Sequence, residues 1–440
     1  MTFSSPVPLP EPGSSRGQLL GTPRTPPASS REDPDPVLPK DWWRRFAEML
    51  QDGDRPLHFD RPFGAPLVHP RHVDDLVRTM QKRADKKHVR IYCGGRRRDD
   101  LAHELVRARL PDGVPVFDWI RELCKSERMA FVINDVQDWS EVFARAAAPF
   151  LTGHFESRGV PPAGAEMVLF AGNYEATPFG AHRGYEHAFL AHLGPANKEF
   201  YIWSAELYQQ LTGGTADLPN YEHLLPYATA YTLKPGDLLY LPAQWYHIGT
   251  QTEYSASVAI PMYQPDRAKY LAELVSEVAR TAKHRILPRV SFQETGSAEC
   301  AAALRREAEE LLAGDGLDQI LLERWRLHLS NGGLVRRTPT WVEPIALDLE
   351  STIARVRPFP ILSVPSGKER VRIYARHRSF EIADHPALGR LVTALNEDRV
   401  LSVREVVTWF SSAWEESAVL GVLGHLSGMQ AIEGVSRAEG

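Results

Sequence analysis

The spacing of apolar residues predicts three helices and two strands in the first third of the chain. Apolar residues recur at helical intervals in DWWRRFAEMLQD (41–52), RHVDDLVRTMQKRAD (71–85) and DLAHELVRARL (100–110). Asp41 stands at the start of the first helix as its expected N-cap. The shorter runs VRIYCGG (89–95) and RMAFVINDV (128–136) are typical of strands.

Two later segments resemble the metal-binding core of a small cupin barrel. They are TPFGAHRGYEHAFLAHLGPANKEFYIW (177–203) and LKPGDLLYLPAQWYHIGTQTEYSASVAI (233–260), and the second opens with a PGD turn. The first segment carries His182 on a barrel strand, and the second carries His247 on another. Imidazoles from two strands of one small barrel can converge on one divalent metal. The pair therefore predicts a metal centre.

After the barrel the apolar period changes to that of helices. Residues 266–285, 298–313 and 318–329 predict a helical bundle. In the last block, strands are expected in WVEPIALDLE (341–350) and KERVRIYARHRSFEI (368–382), and helices at 386–395, 402–414 and 416–426. Strands followed by three helices predict a winged-helix-like domain. Its last helices, however, carry more acid than base, which argues against nucleic-acid binding.

The predicted fold class is α+β, with a double-stranded β-helix barrel as its centre. Four regions are expected: a Pro-rich disordered leader (1–39), a barrel domain with helical N-terminal elements (40–264), a helical region (265–332) and the winged-helix-like domain (333–440).

Composition favours a protein of the cytoplasm. The chain has 440 residues and a formal net charge of −5, with no apolar run long enough to span a membrane and no secretory signal pattern. The three cysteines, Cys93, Cys124 and Cys300, are widely spaced and odd in number. This pattern argues against a disulfide framework or a cysteine-based zinc site.

The two barrel segments resemble the Jumonji-C (JmjC) group of oxygenases, especially the bacterial branch related to ribosomal oxygenases. His182 matches the first histidine of that family's H-x-D/E motif, and His247 matches its distal histidine. Lys198 lies near the position that usually binds the C5 carboxylate of 2-oxoglutarate. The resemblance implies Fe(II) and 2-oxoglutarate as cofactors, and a homodimer formed through the helical region.

One position departs from the family motif, because Gly184 stands where the carboxylate ligand is expected. Three explanations stay open. A bend at Gly184 brings Glu186 to the metal, with His187 or His192 as the next choices, although a straight strand would hold Glu186 roughly 13 Å from His182. In the second explanation, the metal has two histidine ligands and an open coordination position, as in halogenases that have Gly or Ala in place of the carboxylate. In the third explanation, metal chemistry has been lost.

Several other side chains have a structural explanation beside the functional one. Side chains alternate between the two faces of the strand EHAFLAH (186–192). If Glu186 points into the barrel, His192 does so too, whereas His187 points outward. His192 is then either a pocket residue or a core histidine whose hydrogen bonds are satisfied. Lys198 is either an inward-facing anion ligand or a solvated hairpin residue. The loop GGRRRDD (94–100) is expected to be a solvated charged loop. Aromatic residues such as Phe200 and Tyr240 are expected around the pocket, half of them facing away by parity.

The predicted function is hydroxylation of an amino-acid side chain in a peptide, protein or carrier-bound substrate by an Fe(II)/2-oxoglutarate-dependent oxygenase. The predicted metal ligands are His182, His247 and Glu186, with Lys198 as the cofactor-binding residue. The alternatives are a halogenase-type or otherwise atypical oxidase with an open two-histidine site, and a non-catalytic cupin binding module.

Overall fold

The computed structural model describes residues 19–20, 37–51, 53–81, 88–175, 180–214, 220–281, 294–336, 344–411 and 413–435. The chain forms two compact units. The first comprises Met1–Tyr263, Gly332–Glu343 and Val356–Phe359, and the second comprises Gln264–Asn331, Pro344–Arg355 and Pro360–Gly440. The predicted leader lies outside the described residues, except for Leu19–Leu20 and residues 37–39.

The first unit is built on an antiparallel barrel. Its strands are β1 (Leu19–Leu20), β2 (Leu57–Phe59), β3 (Val89–Cys93), β4 (Arg96–Arg97), β5 (Met129–Ile133), β6 (Val168–Tyr174), β7 (His182–Arg183), β8 (His187–Pro195), β9 (Lys198–Trp203), β10 (Thr229–Leu233), β11 (Leu238–Leu241) and β12 (Tyr246–Met262). Only the short pairing of β1 with β2 is parallel among these described strands.

The long strand β12 joins the two sheets of the barrel. Its first part, residues 246–250, pairs with β9, and β9 pairs with β10. Its second part, residues 255–262, lies between β8 and β6, in the order β2-β11-β8-β12-β6-β5-β3. One strand shared by two facing sheets encloses a lumen, so the barrel is the double-stranded β-helix that the sequence predicts.

Helices cover the outer face of the larger sheet. They are α1 (Lys40–Met49), α2 (His72–Gln81), α3 (Asp99–Arg107), α4 (Val116–Cys124), α5 (Val136–Trp139) and α6 (Glu141–Arg158), and α7 (Ala205–Thr212) follows β9. Phe46 of α1 and Phe150 of α6 pack on Phe189 of β8, with ring centroids 5.6 and 4.9 Å apart. Burying each ring contributes about 1.5–3 kcal/mol, so this core fixes the sheet against the helices.

The predicted helices and strands of this unit form, but the capping prediction for α1 is wrong. The helix begins at Lys40 and its N-cap is Pro39, so Asp41 lies within the first turn. There its carboxylate interacts favourably with the positive end of the helix dipole.

The second unit contains a helical part and a mixed part. The helices are α8 (Arg267–Thr281), α9 (Glu294–Ala313), α10 (Gly316–Leu329), α11 (Pro386–Asn396), α12 (Val403–Phe410) and α13 (Glu416–Gly428). The strands are β13 (Thr352–Arg355), β14 (Leu362–Pro365), β15 (Arg370–Ala375), β16 (Arg378–Ala383), β17 (Leu401–Ser402) and β18 (Ile432–Gly434). They form two three-stranded sheets, β17-β13-β18 and β14-β15-β16.

The strand predicted at 341–350 is wrong over its described part. Residues 344–350 form no strand, and residues 341–343 lie outside the described residues. The carboxylate of Asp348 accepts hydrogen bonds from the backbone N–H of Glu350 and from the hydroxyl of Ser351. Such a turn interrupts extended backbone, and the strand begins only at Thr352.

The prediction against a disulfide also needs correction, because Cys93 and Cys124 are bonded. Cys93 ends β3 and Cys124 ends α4, which brings residues 31 positions apart to a Cα–Cα distance of 5.6 Å. Cys300 is a free thiol. Cysteine spacing alone does not show which strand end meets which helix end.

Each helix among the described residues is too short or too polar to cross a lipid bilayer.

Candidate active site

His182 and His247 face each other across two neighbouring strands. They form a directly opposed pair in the antiparallel pairing of β7 with β12. Their ring centroids are 4.3 Å apart, with an interplanar angle of 64°. Directly opposed residues of antiparallel strands project to the same side, so both imidazoles enter the barrel lumen together.

Both rings use their Nδ1 atoms for contacts with the backbone. Nδ1 of His182 is 3.0 Å from the carbonyl oxygen of Gly180, and Nδ1 of His247 is 3.3 Å from that of Trp245. Because a carbonyl only accepts, Nδ1 carries the hydrogen and Nε2 keeps its lone pair. Burial, and then repulsion by His182, lower the pKa of His247 well below its ordinary value. His247 is thus held in the neutral form that binds metals.

The position of the missing carboxylate is occupied by Gly184. A Cβ atom added there would lie 3.7 Å from Cε1 of His247 and 3.7 Å from the carbonyl oxygen of Glu186, both ordinary contact distances. A side chain at residue 184 would therefore point toward the imidazole pair. Within the described ranges, no three His, Cys, Asp or Glu side chains lie close enough together to hold a metal.

Glu186 lies in the turn that follows Gly184. Strand β7 ends at Arg183 and β8 begins at His187, so the chain bends here, and the backbone N–H of Gln244 donates to the carbonyl oxygen of Gly184 at 2.7 Å. Glu186 lines the same cavity as the two imidazoles. Burial raises the pKa of its carboxyl group. The structure thus puts Glu186 in the cavity without adding it to a three-ligand cluster.

Lys198 points into the lumen and is 3% exposed. Its ammonium donates to the hydroxyl of Tyr174 at 2.6 Å and to Oε1 of Gln251 at 3.1 Å. No carboxylate of the described residues lies within 4.0 Å of it. Burial lowers the pKa of Lys198 to about 7. A buried ammonium that only neutral groups contact is stabilised when an anion binds beside it.

Two further histidines of the motif region do not join the pair. His192 is buried, and its ring nitrogens contact the hydroxyl of Ser257 at 2.9 Å and the carbonyl oxygen of Ala196 at 2.7 Å. It is the satisfied core histidine of the two alternatives. His187 faces away from the lumen, and its Nδ1 is 2.8 Å from the hydroxyl of Tyr240.

The lumen holds a cavity of about 310 Å³ that reaches beyond the imidazole pair. Of the aromatic residues expected there, Phe200 lines it and stacks on His247, whereas Tyr240 packs in the helix-covered core. Four polar residues that the sequence did not single out also line it: Arg90, Asn134, Glu166 and Tyr263. Of these, Arg90 lies within a strand, where parity becomes informative only once the lumen face is known. The other three lie just beyond strand ends, where alternation gives no signal.

The segment predicted as a charged loop (94–100) lies at the surface, but it contains the short strand β4 and the first residues of α3. Arg97 pairs with Asp99 at 2.7 Å and Arg98 with Asp100 at 2.6 Å, and all four side chains are exposed. These local ion pairs agree with the solvated loop that the sequence favours.

Comparison with known proteins supports a cupin fold of the JmjC type. Residues 173–270 match the family model of the JmjC domain. The chain is similar to a structure of YcfD from Escherichia coli, with 15% identity, a TM-score of 0.52, and coverage of 89% of this chain and 98% of that one. It is similar to YcfD, described as a ribosomal oxygenase, in complex with cobalt and 2-oxoglutarate (15% identity, TM-score 0.52, coverage 90% and 98%).

The same protein in complex with cobalt and succinic acid gives 14% identity and a TM-score of 0.51, with coverage of 90% and 98%. At this identity the likeness establishes a shared fold. No curated protein sequence gives a significant match to this chain.

Proposed function

We propose that this protein is an Fe(II)- and 2-oxoglutarate-dependent oxygenase that hydroxylates an amino-acid side chain. The main observation behind this proposal is the opposed pair His182 and His247, whose Nδ1 atoms contact backbone carbonyls, in one cavity with the buried Lys198. The JmjC match over residues 173–270 supports the proposal. So does the fold shared with a protein that binds cobalt and 2-oxoglutarate.

His182 and His247 fit a divalent metal through their Nε2 atoms. When bound with 2-oxoglutarate and O₂, Fe(II) supplies an oxidant strong enough to hydroxylate an unactivated C–H bond. The two backbone carbonyls that fix the Nδ1–H groups orient the rings before the metal arrives. The buried strands around the lumen limit the access of water to the reacting groups.

Lys198 would bind the distal carboxylate of 2-oxoglutarate. Tyr174 and Gln251 hold the ammonium in place, and each contributes only a neutral oxygen. An anion that arrives beside the ammonium would therefore meet an uncompensated charge at low local dielectric. Such a contact is strong and selects for a dicarboxylate.

Glu186 is the proposed third ligand, reached by closure of the turn at residues 184–187. Glu186→Ala is expected to lower iron affinity and turnover sharply. Near-normal iron binding in that variant would remove Glu186 from the metal site.

A second candidate is an open site that accepts a halide at the position of Gly184, which is favoured by the space beside the ring of His247. Chloride or bromide added to Co(II)-loaded protein would then change the visible absorption of the metal. An unchanged spectrum would reject the halide site.

We propose that the substrate is an amino-acid side chain of a peptide, a protein or a carrier-bound amino acid, and that this side chain alone enters the cavity. A cavity of about 310 Å³ admits a side chain and a cosubstrate. The description of the fold relative as a ribosomal oxygenase supports a protein substrate. We also propose a homodimer through residues 265–332, a winged-helix-like fold for residues 333–440, and a cytoplasmic location.

Succinate formation tests the function. The protein is loaded with Fe(II) under anaerobic conditions, given 2-oxoglutarate, and exposed to O₂. Succinate is expected from the native protein and should be lost in His247→Ala. The matched control is His223→Ala, which removes an exposed imidazole outside the cavity. A metal-loaded native protein that forms no succinate would be a non-catalytic binding module.

A further inference from the structure

The cavity has a second charged wall, on strands remote from β12. Arg90 of β3 pairs with Val132 of β5, Val132 with Phe170 of β6, and Phe170 with Ser257 of β12. Opposed residues share a face, so Arg90 lies on the lumen side of this row. Three strand spacings put β3 roughly 14 Å from β12. Arg90 nevertheless lines the same cavity as His182 and His247.

The guanidinium of Arg90 has few partners within the described part of the chain. One N–H donates to Oδ1 of Asn134 at 3.1 Å, while Nε is buried and makes no hydrogen bond. No described carboxylate lies within 4.0 Å of the group. By contrast, the surface residues Arg97 and Arg98 each have an aspartate partner. A guanidinium that lines a cavity without an acid is suited to an anionic ligand.

The cavity has other charged side chains besides Arg90. It is lined by three cationic side chains, Arg90, Arg183 and Lys198, and by two carboxylates, Glu166 and Glu186. Glu166 accepts a hydrogen bond from the hydroxyl of Tyr263. Arg183 stacks on the ring of Tyr185, 4.7 Å from its centroid. With Lys198 assigned to the cosubstrate, Arg90 is the cation left for the substrate.

We propose that Arg90, oriented by Asn134, binds a carboxylate of the substrate, so that the enzyme selects an acidic target. This inference rests on the proposed function for the position of the cosubstrate. The carboxylate belongs to an aspartate or glutamate side chain or to a chain terminus. Arginine binds a carboxylate through two parallel N–H groups, and an amide of equal shape cannot replace that contact.

Matched acid and amide probes test the proposal. The blocked amino acids N-acetyl-Asp and N-acetyl-Glu N-methylamide are compared with their Asn and Gln counterparts by calorimetry, with Mn(II) and 2-oxoglutarate bound under anaerobic conditions. N-acetylglycine and its amide form the arm for a terminal carboxylate. At least one acid should bind about tenfold or more tightly than its amide.

Variants assign that preference to Arg90. Arg90→Gln should abolish the preference, Arg90→Lys should keep part of it, and Asn134→Ala should weaken it. Arg97→Gln, which removes a surface ion pair, is the matched control and should leave it intact. Thermal unfolding checks that each variant folds. If Arg90→Gln does not fold, Arg90→Lys, which keeps the positive charge, is used in its place.

The two proposals fail in different ways. Equal binding of acids and amides, no binding of any acid at millimolar concentration, or an unchanged preference in Arg90→Gln would overturn the role of Arg90. If the native protein does not bind 2-oxoglutarate, the proposed function is instead overturned. The probe comparison is repeated without Mn(II) and 2-oxoglutarate, so that the role of Arg90 is decided in both cases.

Discussion

Gly249 of β12 leaves the space through which the side chain of Lys198 crosses the lumen. A Cβ atom at residue 249 would lie 2.8 Å from Cε of Lys198 and 3.2 Å from the ring of Phe200. Real Cβ atoms essentially never approach another atom to less than 3.0 Å, so the lysine stem would have to move. The absence of a side chain at Gly249 therefore sets the position of the ammonium.

Gly249→Ala is expected to displace Lys198 and weaken 2-oxoglutarate binding by about tenfold or more, while metal binding persists. Calorimetric titration with Mn(II) and then with 2-oxoglutarate measures the two steps separately. Gly421→Ala is the control, because an added Cβ on α13 meets nothing within 4 Å. Unchanged affinity for 2-oxoglutarate in Gly249→Ala would show that Lys198 does not bind this cosubstrate.

The affinity for 2-oxoglutarate should fall as pH rises above 7. Burial lowers the pKa of Lys198 to about 7 from its usual 10.5, so the ligand-free protein loses the ammonium near neutrality. Binding then requires uptake of one proton, and affinity falls by up to about tenfold per pH unit. Titrations over this range measure the slope, with metal kept saturating. Lys198→Met should bind more weakly and show a flatter profile, and an equally steep profile in that variant would contradict the assignment.

The lowered pKa of Lys198 also makes the free energy of unfolding depend on pH. Because Lys198 is protonated in the unfolded chain up to about pH 10.5 but only below about 7 in the folded protein, the unfolded state binds more protons between these values. The free energy of unfolding of ligand-free protein therefore gains a contribution that rises with pH over this window. Urea denaturation of the native protein and of Lys198→Met at several pH values would show this difference.

Gly184→Asp should supply the absent carboxylate ligand. The new Cβ would make only ordinary contacts at 3.7 Å, and the side chain would point toward His247. Metal affinity should rise by about tenfold or more, or ~1.4 kcal/mol, measured with Co(II) in the absence of 2-oxoglutarate. Gly184→Ala is the control without a ligand atom and should leave the affinity unchanged. Gly184→Asp should also rescue Glu186→Ala, and failure of both gains would place residue 184 away from the metal.

The helices α8–α10 should pair two copies of the chain. They expose large apolar side chains to solvent: Leu271, Leu304, Leu312, Leu321, Leu322 and Trp325. Trp325→Glu is expected to weaken a dimer by about 2 kcal/mol, roughly thirtyfold, measured by sedimentation. Val400→Glu changes an equally exposed apolar residue outside these helices and should have no effect. A monomeric native protein at high concentration would reject the dimer.

The barrel and its imidazole pair could be predicted because their signals are local. Alternation and the PGD turn identify the strands, and each histidine has a recognisable strand context. The sequence shows that Gly184 replaces the expected carboxylate ligand. Whether Glu186 supplies that ligand instead depends on the path of the turn between β7 and β8. That path is fixed by contacts such as the hydrogen bond from Gln244 to Gly184, which no local pattern reveals.

Long-range pairing explains what the sequence could not show. Arg90 lies in a short strand, on the same face as Tyr92, and only the neighbouring strands β5 and β6 show that this face meets the lumen. The bond between Cys93 and Cys124 likewise depends on where β3 and α4 end. The strand predicted at 341–350 was wrong over residues 344–350, because the apolar residues there were interpreted without the turn formed by Asp348.

The opposed placement of His182 and His247 separates their spacing from the length of the chain between them. The backbone ladder of two adjacent strands sets the distance between the rings, and the connection over residues 184–245 does not. Insertions and deletions in the loops of that connection, apart from the turn at residues 184–187, should therefore be tolerated. A shift of one residue in the pairing of β7 with β12 would instead turn one imidazole outside the barrel. Natural variation in loop length is thus compatible with an unchanged centre.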